Sequence, residues 1–308
     1  MEAVHDLSAR LADDERNDIR IEAALAKLWS SELACRVADE LVQVRGGRGY
    51  ETAESLAARG ERGVPAEQLL RDLRINRIFE GSSEIMHLLI AREAVDAHLS
   101  VAGDIIDPDT STADKARAAA RAGGFYARWL PTLVTGPGRR PGSYAEFGPL
   151  AQHLRYVERA SRKLARSIFY AAGRWQGRLE QKQGFLGRMV DIGAELYAMS
   201  AVCVRAHADA SGKGPLQDGS GGPGDGPGKS ALLLADAFCK QSRVRVEELF
   251  DGLWRNTDAM DVRLARAVLD GAFTWVEEGV LDPSIPGPWI APSEPGPSSM
   301  DDVHRHIT

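Results

Sequence analysis

Cysteine is scarce in this sequence. Only three of the 308 residues are cysteine, and Cys35, Cys203 and Cys239 lie far apart with no C-x-x-C pair. An odd number of widely spaced cysteines excludes a disulfide framework and offers no spacing typical of a zinc site. We therefore expect three buried thiols in a reducing cytoplasm.

Long apolar runs and an excess of positive charge are absent as well. The most apolar run, residues 196–204, falls short of the roughly 18 residues of a membrane-spanning helix, and the charged residues 1–18 contain no apolar segment of a signal peptide. The formal net charge is −6, whereas a general nucleic-acid binder needs a basic surface to contact phosphates. These absences predict a cytoplasmic protein with no nucleic-acid partner and at most a peripheral contact with a membrane.

Alternation of apolar and polar residues, which marks a β-strand, is missing throughout the sequence. Apolar residues instead recur at the spacing of the buried face of an amphipathic helix. This spacing predicts helices over residues 19–45, 66–74, 83–98, 150–172 and 184–210, a helical block over 230–278, and one short helix near 53–59 within an otherwise loop-like 48–65. The sequence thus predicts an all-α fold, a helical bundle followed by a second helical subdomain.

Glycine and proline divide the sequence into blocks. Residues 107–114 contain a proline among short polar residues and have the composition of a linker, while 211–229 are too rich in glycine and proline to pack. We therefore expect a first helical domain over 1–106, a linker over 107–114, a second helical domain over 115–282, and a proline-rich tail over 283–308.

Two glycine-rich stretches are similar to nucleotide-binding motifs without matching them. GPGDGPGKS ends like a phosphate loop but has Pro223 where that loop needs glycine. RGGRGY, residues 45–50, fails the G-x-G-x-x-G spacing and follows a predicted helix, so we expect Gly46 to be a helix C-cap in the left-handed αL conformation. His304 and His306 have no acid or cysteine at ligand spacing, and no metal site is predicted.

A row of basic residues lies opposite the apolar face of the predicted helix 150–172. Its members are Arg155, Arg159, Arg162, Lys163 and Arg166. Such a row can lie on an anionic membrane, receive a partner helix or face solvent. We favour a solvated or interhelical face over peripheral membrane contact.

The stretch RIFEGSSEIM, residues 77–86, places Glu80 between Ile-Phe and Gly-Ser-Ser. An acid there has two interpretations from the residues alone. It is a capping acid at the positive end of the helix that follows, or it is a general base whose pKa is raised by apolar neighbours such as Ile78 and Phe79.

The surrounding sequence favours the second interpretation. ELVQVRGGRGY (40–50) followed by LLRDLRINRIFEGSSEIMHLLIAREAVD (69–96) closely resembles the end of the catalytic domain in the acyl-CoA dehydrogenase family. The motifs Q-x-x-G-G-x-G-[YF], R-D, R-I-[YF]-E-G-[ST] and A-R-E occur here in the family's order. The resemblance covers residues 1 to 98, and 177–209 is similar, more loosely, to the extra C-terminal helical domain of the very-long-chain branch.

The resemblance implies an FAD-dependent enzyme that oxidises acyl-CoA to trans-2-enoyl-CoA. It implies that Glu80 is the base for the α-proton and that Gly81 allows close approach of the substrate. It further implies FAD contacts in two segments. The first is Ser82, Ser83 and Glu84, with Ser82 where threonine is usual and His87 where many members have arginine; the second is Gln43, Val44, Arg45, Gly46 and Gly47, which meet the FAD of a neighbouring subunit.

The resemblance also implies partners: an acyl-CoA substrate, an electron-transfer flavoprotein as acceptor, and at least a dimer. Complete members have an N-terminal helical domain and a β-domain before this region, so we expect a truncated or split form with a separate partner. A non-catalytic helical subunit or anchor, in which Glu80 is inherited but idle, is the alternative.

Overall fold

The computed structural model describes residues 1–14, 18–106, 111–214 and 227–277. Within these ranges the chain contains α-helices and short 3-10 turns and no strand, which confirms the all-α fold. The helices are α1 (Glu2–Asp13), α2 (Arg20–Arg45), α3 (Gly47–Tyr50), α4 (Ala53–Ala58), α5 (Ala66–Arg74), α6 (Ser83–Ile106), α7 (Thr112–Thr132), α8 (Ala151–Trp175), α9 (Gln183–Ala210), α10 (Pro227–Gly252), α11 (Asp258–Leu269) and α12 (Thr274–Glu277).

Helices predicted from apolar spacing agree closely with α2, α5, α8 and α9, and the short helix expected near 53–59 is α4. Three differences stand out. Helix α6 continues to Ile106, the block predicted over 230–278 contains α10, α11 and α12, and α1 and α3 were not predicted.

The αL conformation predicted for Gly46 is wrong. Its φ is +59° but its ψ is −141°, outside the αL region. Gly46 is both the C-cap of α2 and the N-cap of α3, because the next helix begins at Gly47. The chain must turn at once into a new helix there, and glycine is the residue that tolerates this backbone conformation.

Helix α9 lies in the centre of the core. It packs against α1, α2, α6, α8 and α10. Its buried residues cover most of its circumference, as expected for a helix surrounded by others; they include Phe185, Met189, Ile192, Leu196, Met199 and Cys203.

One buried carboxylate connects three of these helices. Glu195 of α9 accepts a hydrogen bond from Trp29 Nε1 of α2 at 3.3 Å. It also accepts two bonds from the Arg245 guanidinium of α10, each 3.1 Å long. Because the charge of Glu195 is matched by a bidentate arginine, its burial is tolerated and fixes α2 and α10 against α9.

All three cysteines are free and buried, as predicted. Cys203 Sγ of α9 and Cys239 Sγ of α10 lie 3.7 Å apart. The contact with Cys203, together with burial, raises the pKa of the Cys239 thiol. The thiols therefore act as small core side chains.

The basic row of α8 faces a segment of the same chain. Its arginines donate to backbone carbonyls within 132–143: Arg155 to Ser143 (2.9 Å), Arg159 to Gly138 (2.7 Å), Arg162 to Thr132 (2.8 Å) and Arg166 to Leu133 (2.5 Å). At Gly138 a Cβ atom would come within 2.6 Å of Glu158 Cβ, so glycine permits the close approach. We call residues 132–143 the strap; it covers the arginine face.

The chain forms two compact units, residues 1–254 and 255–308. The first contains α1 to α10, and helices from both predicted domains share its core. The described helices of the second are α11 and α12. The predicted boundary at 107–114 stays a prediction, and residues 107–110 and the tail at 283–308 lie outside the described residues. None of the described helices is long and apolar enough to cross a bilayer.

Leu28 of α2 tests the packing of the core, because its side chain is only 2% exposed. We expect Leu28→Ala to lower the free energy of unfolding by roughly 2 to 5 kcal/mol through lost burial and the cavity left behind. Leu234→Ala is the control, since Leu234 of α10 is 71% exposed, and should change it by no more than about 0.5 kcal/mol. Urea unfolding followed by circular dichroism measures both, and equal effects would contradict the packing described.

Candidate functional site

Glu80 lies in the loop between a 3-10 turn at Ile75–Arg77 and the first residue of α6, Ser83. Its φ is +52°. Positive φ is uncommon for residues other than glycine and costs free energy unless the surroundings impose it. The backbone at Glu80 is therefore held in an unusual conformation.

Gly81 is required by the same loop. Its φ is +90°, and a Cβ atom there would lie 2.4 Å from Met86 Cε. A side chain at this position would meet both a backbone penalty and a steric one. The Glu-Gly pair thus has a structural reason for its order in the sequence.

The ammonium group of Lys27 on α2 contacts several backbone carbonyl groups of this loop. Its ammonium donates to Asn76 O at 2.8 Å and to Gly81 O, and it lies 3.5 Å from Phe79 O. These carbonyls come before and after Glu80 in sequence. One side chain of the core helix therefore holds both sides of the loop.

Glu32, also on α2, holds two side chains next to the loop. It accepts from Arg77 Nε at 2.7 Å and from Ser83 Oγ at 2.5 Å. Ser83 is buried. The hydroxyl proton of this predicted FAD contact is therefore donated to Glu32, while its oxygen can still accept a bond.

The expected apolar enclosure of Glu80 is not formed by its neighbours within this chain. Ile78 is 60% and Phe79 43% exposed, and Glu80 itself is exposed. Both apolar side chains face outwards because the backbone atoms of the loop, rather than its side chains, are turned toward Lys27. The base interpretation therefore requires a further surface over the loop.

The start of α6 is capped without Glu80. Ser82 Oγ accepts from the N–H of Ile85 at 3.4 Å. A bond from its own backbone N–H, then one from Ser82, lowers the pKa of the exposed Glu84 carboxyl, as is typical of an acid in a first helical turn. Ser82 and Glu84 thus take the capping role that the sequence left open for Glu80.

The second predicted segment, 43–47, lies at the far end of α2. Gln43 lies sixteen positions after Lys27, which is about 24 Å along a helix. Gln43, Gly46 and Gly47 are exposed, and Val44 is 83% exposed. Arg45 Nε is buried with no hydrogen-bond partner in the structure. The fold does not bring this segment to the loop of Glu80.

His87 connects the start of α6 to the core helix α9. Its Nδ1 lies 2.7 Å from Ser83 O and its Nε2 lies 2.7 Å from Asp191 Oδ1. Both partners accept hydrogen bonds, so only the doubly protonated ring satisfies both. The bond to Asp191 raises the pKa of His87 above its ordinary value, against the opposing effect of burial.

A groove of about 650 Å³ lies between α2 and α5, beside the turn that precedes Glu80. Its lining includes apolar and cationic side chains: Cys35, Leu70, Ile75 and Ile78 with Arg36, Arg71, Arg74 and Arg77. Among the described residues, no cluster of three His, Cys, Asp or Glu side chains is placed to hold a metal ion. The groove therefore combines apolar and cationic side chains with one carboxylate, Asp39.

Sequence reasoning missed Lys27 and Glu32. The available signal was the position of Lys27 between Ala26 and Leu28, in a run of α2 that is otherwise buried. A lysine on a core-facing stretch needs acceptors for its ammonium. Their identity, carbonyls some fifty residues away, was not visible in the sequence.

Comparisons with known proteins identify the class of this helical region. Residues 2–95 match the family model described as "Acyl-CoA dehydrogenase, C-terminal domain". "Probable acyl-CoA dehydrogenase FadE10" of Mycobacterium tuberculosis (strain ATCC 25618 / H37Rv) is 64% identical over 308 residues, which are 100% of this chain and 46% of that protein. Residues 2–95 therefore belong to the acyl-CoA dehydrogenase C-terminal domain family, and the chain spans about half the length of that relative.

More distant relatives match more of the chain than the domain at 2–95. "Very long-chain specific acyl-CoA dehydrogenase, mitochondrial" of Homo sapiens is 30% identical over 245 residues, 77% of this chain and 32% of that protein. That alignment is longer than the domain matched at 2–95. A solved acyl-CoA dehydrogenase complexed with FAD from Bacillus anthracis has a TM-score of 0.48 and 23% identity, covering 80% of this chain and 35% of the other.

The His87 bridge predicts a pH dependence of stability. A raised folded-state pKa gives stability that is fully present below the unfolded pKa of about 6.5 and is lost as pH rises through the folded pKa. We expect the stability lost between about pH 6 and about pH 9 to be smaller in His87→Gln than in the wild type. His5→Gln, at an exposed position of α1, is the control. Urea unfolding at the two pH values measures the free energy of unfolding of each variant. An unchanged pH dependence in His87→Gln would contradict the hydrogen bond between His87 and Asp191.

Proposed function

We propose that this chain is the C-terminal part of an FAD-dependent acyl-CoA dehydrogenase and that Glu80 removes the α-proton of the acyl-CoA. The main support for this proposal is the conformation of the loop that contains Glu80. The residue that matches the family's base has φ of +52°, and its flanking carbonyls are held by one lysine of the core. A general base needs such a fixed position to meet its proton.

The chemistry asks three things of the chain. The Glu80 carboxylate accepts the proton, and Gly81 leaves room for the thioester beside the backbone. The N–H of Glu80 offers a donor to the thioester oxygen, which acidifies the α-proton. The acceptor for the hydride that leaves the β-carbon would be supplied by bound FAD.

The residues proposed to hold FAD fit that role in part. Ser82 and Glu84 lie at the accessible edge of the loop, whereas the Ser83 hydroxyl proton is donated to Glu32. At the other end of α2, the buried and unpartnered Arg45 Nε is a donor without an acceptor. Its neighbours in sequence, Gln43, Val44, Gly46 and Gly47, are exposed.

The active form is proposed to be larger than this chain. Glu80, Ile78 and Phe79 are exposed, whereas a carboxylate becomes a better base when apolar surface removes it from water. The domains that the longer relatives possess, on the same or a separate polypeptide, supply that cover. The roughly 24 Å between Lys27 and Gln43 supports the proposal that 43–47 serve a neighbouring subunit, and hence at least a dimer.

We propose an acyl-CoA substrate and an electron-transfer flavoprotein as acceptor on the same family grounds. Peripheral membrane contact stays a prediction from the basic row of α8. The strap carbonyls already accept from Arg155, Arg159, Arg162 and Arg166, which favours the interhelical interpretation of that face. We also propose a cytoplasmic location for the protein.

The exposure of Glu80 also favours a second candidate, a non-catalytic helical subunit or anchor derived from this family. The colour of the purified chain, alone and in a longer protein that also contains the further domains of the longer relatives (the restored protein), separates the two. Stoichiometric FAD absorbance in the restored protein supports the enzyme. A colourless restored protein supports the anchor.

Glu80→Gln tests the proposed base in the restored enzyme. We expect acyl-CoA-dependent dye reduction to fall by at least roughly 100-fold, because the amide cannot accept the α-proton, while flavin absorbance is unchanged. Glu54→Gln, at an exposed position of α4, is the matched control and should keep full activity. Retained turnover in Glu80→Gln would rule out this role.

A further inference from the structure

We propose that Lys27 and Glu32 are positioning residues that set the conformation of the Glu80 loop from the core side. The inference rests on the proposed function of Glu80. Neither side chain is assigned a contact with substrate or cofactor. Their role is to act through the backbone and side chains on each side of the base.

The contacts of Lys27 account for the unusual backbone of Glu80. An ammonium has three protons and no acceptor. Here they face Asn76 O and Phe79 O before Glu80, and Gly81 O after it. A positive φ at a non-glycine residue persists only where the surroundings impose it. A single cation that draws together carbonyls from both sides of the residue is such a constraint.

Glu32 acts in the same way with opposite charge. It accepts from Arg77 Nε on the N-terminal side of the loop and from Ser83 Oγ on the C-terminal side. The chain between these two contacts is 78–82, with Glu80 in the middle. Each end of the loop is thus held by two contacts: Lys27 binds its main-chain carbonyls, and Glu32 binds its side chains.

Both positioning residues project from one rigid element. Lys27 and Glu32 lie five positions apart on α2, which is about 7.5 Å along the helix axis. Between them Trp29 packs into the core and donates to Glu195 of α9. The position of Glu80 is therefore determined by the core of the bundle, before any substrate binds. A base held this way needs no reorganisation at the moment of proton transfer.

Amide hydrogen exchange on the full chain is the first test. In the structure the N–H groups of Ile78 and Phe79 donate to Ile75 O, and that of Met86 donates to Ser82 O. We expect faster exchange at Ile78 and Phe79 in Lys27→Met, at an unchanged urea midpoint, and a partial return in Lys27→Arg. Lys213→Met, at an exposed position after α9, is the control. Exchange equal to that of the wild type would overturn the proposal.

Turnover of the restored enzyme is the second test. A misplaced base lowers kcat, and we expect a loss of roughly 100-fold in Lys27→Met, with KM and flavin absorbance unchanged. Glu32→Gln should lower kcat less, since an amide can still accept from Ser83. Unchanged kcat in Lys27→Met, while Glu80→Gln is inactive, would overturn the positioning role alone.

The catalytic role of Glu80 and the positioning role of Lys27 are contradicted by different results. If Glu80→Gln stays active, the proposed base is wrong. The exchange experiment then still decides whether Lys27 holds the loop, because it needs neither flavin nor turnover. A drop in the urea midpoint of Lys27→Met without any change at Ile78 and Phe79 would mark a purely structural lysine and would also overturn the inference.

Discussion

The packing of α2 against α9 is the interaction on which the rest of this structure depends. Trp29 and Leu28 of α2 are buried in the core, and the Glu195 carboxylate of α9 accepts from Trp29 and from Arg245. Because that carboxylate is buried, both its partners must stay in place. Lys27 and Glu32, the residues of α2 that contact the Glu80 loop, are therefore held in place by a core that includes α10, which is far away in sequence. The site is a product of the whole helical unit rather than of its own motif.

The sequence predicted the helices well where a long apolar stripe exists. Helices α2 and α8 have such stripes, and apolar spacing is a signal that short-range sequence carries. It failed at α3, a four-residue helix that glycine begins, and at Gly46, whose ψ depends on that helix. These errors share one cause, because the end of one helix and the start of the next compete for the same residue.

The residues of the candidate site were proposed from the sequence motif, whereas the side chains that hold its loop were not predicted. Motif order located Glu80, Gly81 and the segment after them. The hydrogen bonds of Lys27 and Glu32 join residues about fifty positions apart, and no periodicity carries such information. The same holds for the basic row of α8. Its arginines could be identified in the sequence. Their acceptors are main-chain carbonyls of the glycine- and proline-containing strap, and a main-chain carbonyl has no sequence signal.

The length of α2 has one more consequence under the proposed function. Its inner part supports the base of one catalytic centre, while the end at 43–47, about 24 Å away, would serve the centre of the neighbouring subunit. Each centre of a dimer would then be assembled from two polypeptides. A variant damaged only at Glu80 and a variant damaged only at 43–47 would each be inactive alone. Mixed in one dimer, they would leave one centre with both contributions intact, so that two defective genes could complement each other.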